Sequence, residues 1–243
     1  MGTTAENLAE KYNISRTDQD LFAYHSQMKA ANAQSSGRLA QEIVAVDIPQ
    51  RKANSICFDK DEFIRANSSV ETLGKLRTAF KKVEQGGTVT AGNASGLNDG
   101  AAAMIVASEK AKNELQLKPK AKILSSAVVG VEPKIMGIGP VQASKKALQK
   151  AGLTLADMDI IELNEAFAAQ SLACIREMGL KDDDPRVNPN GGSIAIGHPL
   201  GASGARILYS AALELSISDK QFALATMCVG VGQGYAVVLE RAN

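Results

Sequence analysis

There is no tryptophan in this chain, and its 243 residues hold only two histidines, three cysteines and 4% aromatic side chains. Each scarcity excludes something. Cys57, Cys174 and Cys228 form an odd, scattered set without a C-x-x-C pair, which speaks against a disulfide framework and for a reducing, cytoplasmic setting. His25 and His198 are too few and too distant from those cysteines to build a structural zinc site, so no metal is expected. No apolar run approaches the roughly 18 residues that a membrane helix needs. The opening residues, MGTTAENLAEKY, show no basic and apolar leader pattern. Charge of one sign is not in excess either. Twenty-seven basic against 26 acidic side chains leave net +1, so no global field draws the chain to nucleic acid or membrane. What is present is ordinary globular material, 45% apolar and 22% charged, enough for one large domain or two small ones.

Periodicity and punctuation predict helices over Glu6–Tyr12 and Arg16–Gln34, with Ser15 or Thr17 as a cap and Gly37 as a stop. A strand is expected over Glu42–Ile48, ending at Pro49. Residues 50–82 are irregular and basic, with eight Lys or Arg against four Asp or Glu, a local net of +4. That is either a solvated face or a landing surface for a phosphorylated ligand. Gly86–Gly100 is too rich in Gly, Asn and Ser for one regular element, and Ala101–Ala107 reads as a short apolar strand or buried segment. A helix over Glu109–Leu115 and a linker at Lys118-Pro119-Lys120 follow. Beyond it strands and helices alternate: strand Ala121–Val131, helix Val141–Ala151, strand Asp159–Leu163, helix Glu165–Met178, helix Ala202–Leu215, then strands Phe222–Met227 and Tyr235–Glu240 as antiparallel neighbours.

Three corners of this second half attract chemistry. Asn164 follows the strand DIIEL, His198 lies in a stretch with five glycines (Asn190–Arg206), and Cys228 enters CVGVGQG. Singly, each has a structural reading: a helix cap, a satisfied imidazole, a packed thiol. Jointly, imidazole can take a thiol proton, and flanking glycines let backbone N–H groups approach developing negative charge. A cysteine hydrolase would use the same residue types. The G-x-G-x-G of CVGVGQG lacks dinucleotide spacing and leads to a strand, and no phosphate-loop motif occurs.

Six strings, in order along the chain, carry a family resemblance: MGTTAENLA, GTVTAGNASGLNDGAAA, PKIMGIGP, LNEAFAAQ, NPNGGSIAIGHPLGASGARIL and CVGVGQG. Together they resemble the thiolases, acyl-CoA:acetyl-CoA C-acyltransferases. The resemblance implies a layered α-β-α fold with a mixed sheet and an irregular α/β loop domain. It divides the chain into a CoA-binding loop domain (residues 1–97), the end of a first core repeat (98–119) and a C-terminal core domain (120–243). It implies that His198 activates the acyl-accepting cysteine and binds the thioester oxygen, with Asn164 holding a water that completes that oxyanion hole. Cys228 is implied as the acid–base thiol and Gly230 as a backbone donor of a second oxyanion hole. Arg65 and Thr72 are implied near the CoA nucleotide, Ala91, Ala94 and Ser95 along its pantetheine arm, and Met136 and Phe167 around the reactive end.

The implied partners are acyl-CoA and CoA, as substrates, with no separate cofactor, nucleic acid or membrane. One departure stands out. Family members carry the nucleophilic cysteine upstream of the position matching MGTTAEN, and neither Cys57, in NSICFDKDEF, nor Cys174 matches that motif. The expectation is a chain lacking that segment, inactive alone, and either self-associating as a homo-oligomer or needing a companion chain that carries it. The alternatives are a CoA-binding module without turnover and a Cys/His hydrolase.

Overall fold

The computed structural model describes residues 1–242. Helices α1 (Gly2–Lys11) and α2 (Arg16–Ser35) open the chain. The second starts on a reciprocal cap in which Ser15 Oγ accepts from the Asp18 amide, and the Asp18 carboxylate accepts from the Ser15 amide. A small hairpin follows, β1 (Val46–Ile48) against β2 (Ile56–Phe58), and then the short α3 (Val70–Gly74) and α4 (Glu109–Glu114). The second half comprises β3 (Ala121–Gly130), α5 (Gly139–Ala151), β4 (Ile160–Leu163), α6 (Ala168–Glu177), α7 (Ser193–Ile196), α8 (Ser203–Ile217), β5 (Phe222–Val229) and β6 (Gln233–Arg241).

The last four strands form one mixed sheet in the order β3-β6-β5-β4, with β4 parallel to β5 and the other pairs antiparallel. Strand alternation sorts its side chains into two cores. Ile161, Leu163, Leu224, Ala236 and Val238 pack with Val141, Ala147, Leu172 and Ile175 of α5 and α6, whereas Ile160, Ala223, Val237 and Leu239 pack with Ala211 and Leu215 of α8. The result is the expected α-β-α layering. Helices α1 and α2 join the first of these cores through Ala5, Leu8, Phe22 and Ala23.

Helix α2 buries polar side chains as well as apolar ones, among them Asp20, Ser26 and Gln27. Each holds another segment. Asp20 accepts from Asn93 Nδ2 at 2.9 Å, Ser26 Oγ donates to Glu165 at 2.6 Å, and Gln27 accepts from the Arg65 amide at 2.7 Å. The helix therefore fastens the glycine-rich segment, the β4–α6 corner and the basic segment to one beam. Buried groups that have such partners avoid the desolvation cost that would otherwise make them destabilising.

Several sequence expectations change. Ala101–Ala107 is neither a strand nor buried: no ladder partner reaches it among the described residues, and Ile105 and Val106 are 86% and 70% exposed. An apolar, β-prone sequence needs a sheet edge beside it before it becomes a strand. The strand expected over Glu42–Ile48 shrinks to Val46–Ile48, the three residues that find ladder partners in Ile56–Phe58. The helix expected from Glu165 starts at Ala168, since Asn164 and Glu165 spend their side chains on tertiary partners instead. Cys57 lies exposed on β2, and Cys174 is buried in α6 with its thiol donating to the Gly137 carbonyl at 3.1 Å.

Candidate functional site

Four segments converge at the end of the sheet where β4 and β5 finish. The parallel pairing of these strands brings Leu163 level with Thr226, and the Asn164 amide donates to the Thr226 carbonyl at 3.0 Å. Asn164 thus follows a strand that ends two residues short of the level at which Cys228 stands near the end of β5. The loop from Asn188 to Gly192 lies alongside, and Asn188 holds it there. Its side-chain amide bonds both the N–H and the C=O of Leu163 at 2.8 Å, imitating a further strand. Asn188 takes a positive φ of 45°, a conformation asparagine tolerates better than most residues.

Behind this corner Glu165 is a buried anchor. Its carboxyl accepts from Ser26 Oγ, from Asn188 Nδ2 at 2.7 Å and from the Ile194 amide at 3.2 Å. Burial pushes its pKa up, against the pull of those three donors. A Cβ on Gly192 would stand 2.3 Å from the Glu165 carboxyl carbon, so only glycine lets the loop pass.

His198 and Asn164 face each other, with Nε2 and Nδ2 3.4 Å apart, and both are buried. His198 Nδ1 lies 2.6 Å from Ser203 Oγ, whose hydroxyl donates to the Pro199 carbonyl at 3.0 Å. Where the hydroxyl hydrogen rests on that carbonyl, the ring donates through Nδ1 and Nε2 keeps its lone pair; which tautomer is held is decided by what faces Nε2 on the other side. Desolvation, with the Arg206 cation second, holds the His198 pKa below the usual range, so the ring is neutral at neutral pH. Asn164 Oδ1 accepts from Ser193 Oγ at 2.6 Å, and Ser193 Oγ accepts from Arg206 Nη2 at 2.7 Å.

Cys228 is buried in a small cluster with Met136 and Ala166, against which Phe167 packs. Burial pushes its thiol up to about 11, with a backbone hydrogen bond pulling the other way, so it rests protonated. The glycine-rich segment closes this side. Ala94 bridges Phe167 in antiparallel fashion, the Ser95 amide donates to the Ala166 carbonyl at 3.1 Å, and the His198 amide donates to the Gly96 carbonyl at 3.2 Å. Ala94, Ser95, Met136, Asn164, Phe167, His198 and Cys228 therefore form one contiguous region.

The remaining candidates lie elsewhere in the picture. Gly230 sits in the turn between β5 and β6, beyond Cys228. Arg65 and Ala91 are exposed on the surrounding loops, and Thr72, exposed within α3, spends its hydroxyl on the reciprocal cap with Ser69 that starts that helix. No group of three or more His, Cys, Asp or Glu side chains among the described residues is arranged to hold a metal ion. Sequence reading passed over Ser193, Ser203, Arg206, Glu162 and Glu165. Ser203 and Arg206 stand within GHPLGASGAR, where the glycines draw attention first.

Comparison with known proteins places this geometry. The thiolase N-terminal domain model matches residues 1–110, and the thiolase C-terminal domain model matches residues 117–241. The chain is 57% identical over 241 residues to a β-ketoadipyl-CoA thiolase of Acinetobacter baylyi, an alignment covering 99% of this chain and 59% of that protein. It is 53% identical over 241 residues to an acetyl-CoA acetyltransferase of Allochromatium vinosum, covering 99% of this chain and 60% of that one. The Bacillus anthracis acetyl-CoA acetyltransferase crystal structure superposes with a TM-score of 0.94 at 45% identity, covering all of this chain and 60% of that one. The human mitochondrial 3-ketoacyl-CoA thiolase gives the same TM-score, identity and coverage. The chain thus spans about three-fifths of the length of the relatives it matches. With both domain models matched in order and the NEAF, GHP and C-x-G corners folded onto one another, the chain belongs to the thiolase family.

Proposed function

We propose that the protein catalyses Claisen-type acyl transfer between two acyl-CoA molecules, two acetyl-CoA giving acetoacetyl-CoA and CoA, or the reverse thiolysis. In this reading the chain supplies the proton-transfer and oxyanion-binding groups, and the acyl-carrying cysteine comes from a companion segment. The supporting observation is the juxtaposition of Asn164 with His198 at the end of the sheet where β5 carries a buried, protonated Cys228. The bare Nε2 of His198 takes the proton of the acyl-carrying thiol, and the resulting N–H then donates to the thioester oxygen. Asn164 holds a water that donates to the same oxygen. Removing a methyl proton from acetyl-CoA is feasible only while such donors stabilise the enolate, each worth roughly 3–4 kcal/mol. In condensation Cys228 first gives its own proton to the CoA thiolate that departs on acylation and then, as thiolate, takes the methyl proton. In thiolysis the transfers run in reverse, and a thiol held protonated at rest is suited to donating to the departing enolate. Gly230 offers its backbone N–H to the tetrahedral intermediate on the acylated cysteine.

Coenzyme A thioesters are the only ligands this scheme needs. Arg65 and Thr72 lie toward the nucleotide end, Ala91, Ala94 and Ser95 flank the pantetheine arm, and Met136 and Phe167 wall the reactive end. The relatives bear names for both acetyl and β-ketoadipyl substrates, so the assay includes both 3-oxoacyl-CoA thioesters.

The test is CoA-dependent thiolysis by the chain alone and with a companion polypeptide carrying the family's nucleophilic cysteine, beside a CoA titration and a CoA-free control. Saturable CoA binding, no turnover alone and turnover with the companion are expected. Turnover by a monodisperse chain alone would force a search for a nucleophile among Cys57, Cys174 and Cys228. Thioester cleavage without CoA would favour a hydrolase, and CoA binding without turnover in either mixture would favour a binding module.

A further inference from the structure

Behind Asn164 lies a small, partly open cavity of about 20 Å³ whose walls include Glu162, Asn164, Ser193 and Arg206. Arg206 is an unusual occupant of such a wall. It makes no ion pair among the described residues, and instead gives Nη2 to Ser193 Oγ at 2.7 Å and Nη1 to the Gly197 carbonyl at 2.8 Å. A guanidinium only donates. Ser193 Oγ must therefore spend its own hydrogen on its other neighbour, Asn164 Oδ1, at 2.6 Å. With Oδ1 so occupied, the amide can turn only Nδ2 toward His198 Nε2.

The opposite flip of Asn164 fails the same accounting. Nδ2 and Arg206 would then both donate onto Ser193 Oγ, whose hydrogen would have no acceptor. Oδ1 would face Nε2, and the ring would need its proton there. On the far side of the ring, Ser203 Oγ at 2.6 Å can serve Nδ1 as acceptor or donor, so the Asn164 side decides. With that orientation the bonds run in one direction, Arg206 to Ser193, Ser193 to Asn164 and Asn164 to His198 Nε2, which leaves Nδ1 to donate to Ser203. Gly197, whose carbonyl Arg206 also holds, immediately precedes His198, so one guanidinium fixes both the ring's partner and its backbone.

We propose that Ser193 and Arg206 are positioning residues that set the amide orientation of Asn164 and, through it, present the unprotonated Nε2 of His198 to the site. Neither touches the reacting atoms in this scheme. Its catalytic consequence rests on the acyl-transfer reading, because a bare Nε2 is what accepts a thiol proton; the tautomer itself stands independently of that reading.

Nitrogen-15 NMR of the imidazole rings tests it directly, since the chain has only two histidines and His25→Gln assigns them. In the wild-type chain at neutral pH, His198 should show its proton on Nδ1, and a proton on Nε2 overturns the proposal without any variant. Ser193→Ala should shift His198 toward a mixture containing the Nε2–H form, with the amide fingerprint of the fold retained. Arg206→Lys should act in the same direction, and an unchanged His198 pattern in both variants overturns the proposal. In the chain assembled with its companion, Ser193→Ala should lower kcat about 10- to 100-fold with the KM for CoA unaltered, as a misaimed catalytic group does. A correct tautomer response without any kcat effect would leave the geometry standing and count against acyl transfer.

Discussion

At the scale of single residues, the site pairs two groups whose resting states are set by burial. His198 is kept neutral and Cys228 is kept protonated, each by desolvation first. Asn164 has no charge to lose, so its replacement removes one oriented donor. Asn164→Ala should raise the barrier to condensation by about 2–4 kcal/mol in the assembled enzyme, read as kcat/KM. Activity equal to wild type would remove Asn164 from the site. The motifs made Asn164, His198 and Cys228 legible in the sequence, because residue type and glycine context carry much of their meaning. Ser193 and Arg206 were not legible in the same way. A serine and an arginine 13 positions apart gain their roles only when α7 and α8 fold onto the same asparagine.

At the scale of elements, caps and glycine stops revealed the chain well. Ser15 caps α2 and Gly152 ends α5 in the left-handed region, both as local chemistry dictates. What local chemistry missed is tertiary. Asn188 completes β4 with a side chain, and Ala101–Ala107 fails to become a strand for want of a neighbour. The β5–β6 turn adds a strained position: Val231 sits at φ 69° and is 87% exposed. A β-branched residue gains nothing there to offset the left-handed backbone. Val231→Gly should therefore stabilise the fold by about 1 kcal/mol in urea unfolding. A loss of stability would show that the valine side chain makes a contact worth more than the strain.

At the scale of the whole molecule, a band of charge is buried between β4, α8 and the start of the chain. Arg38 joins Glu42 at 3.0 Å and Glu214 at 2.8 Å, while Glu162 faces this group from β4. Burial, with the neighbouring Glu42 charge second, pushes the Glu162 pKa from the ordinary 4.5 to about 8. The folded state then holds a proton that the unfolded state releases. Its stabilising effect is full below pH 4.5 and is lost as the pH rises toward 8. Urea midpoints should fall across that interval, and Glu162→Gln, which mimics the protonated acid, should flatten the fall. An equally steep decline in the variant would place the buried proton elsewhere. The layered α/β class was legible from the strand and helix alternation. The buried charge was not, because Glu162 looks like any single acid in a strand until α8 covers it.

The most direct test of the account separates the two chemical steps assigned to the assembled site. Wild type and Cys228→Ser, each combined with a companion carrying the nucleophilic cysteine, are incubated with acetyl-CoA and followed by intact-protein mass spectrometry. Acetoacetyl-CoA is quantified in parallel. The account predicts stoichiometric acylation of the companion in both assemblies and acetoacetyl-CoA only with wild type. Loss of acylation in Cys228→Ser, or condensation that survives the substitution, would contradict the assignment of Cys228 as the acid–base thiol.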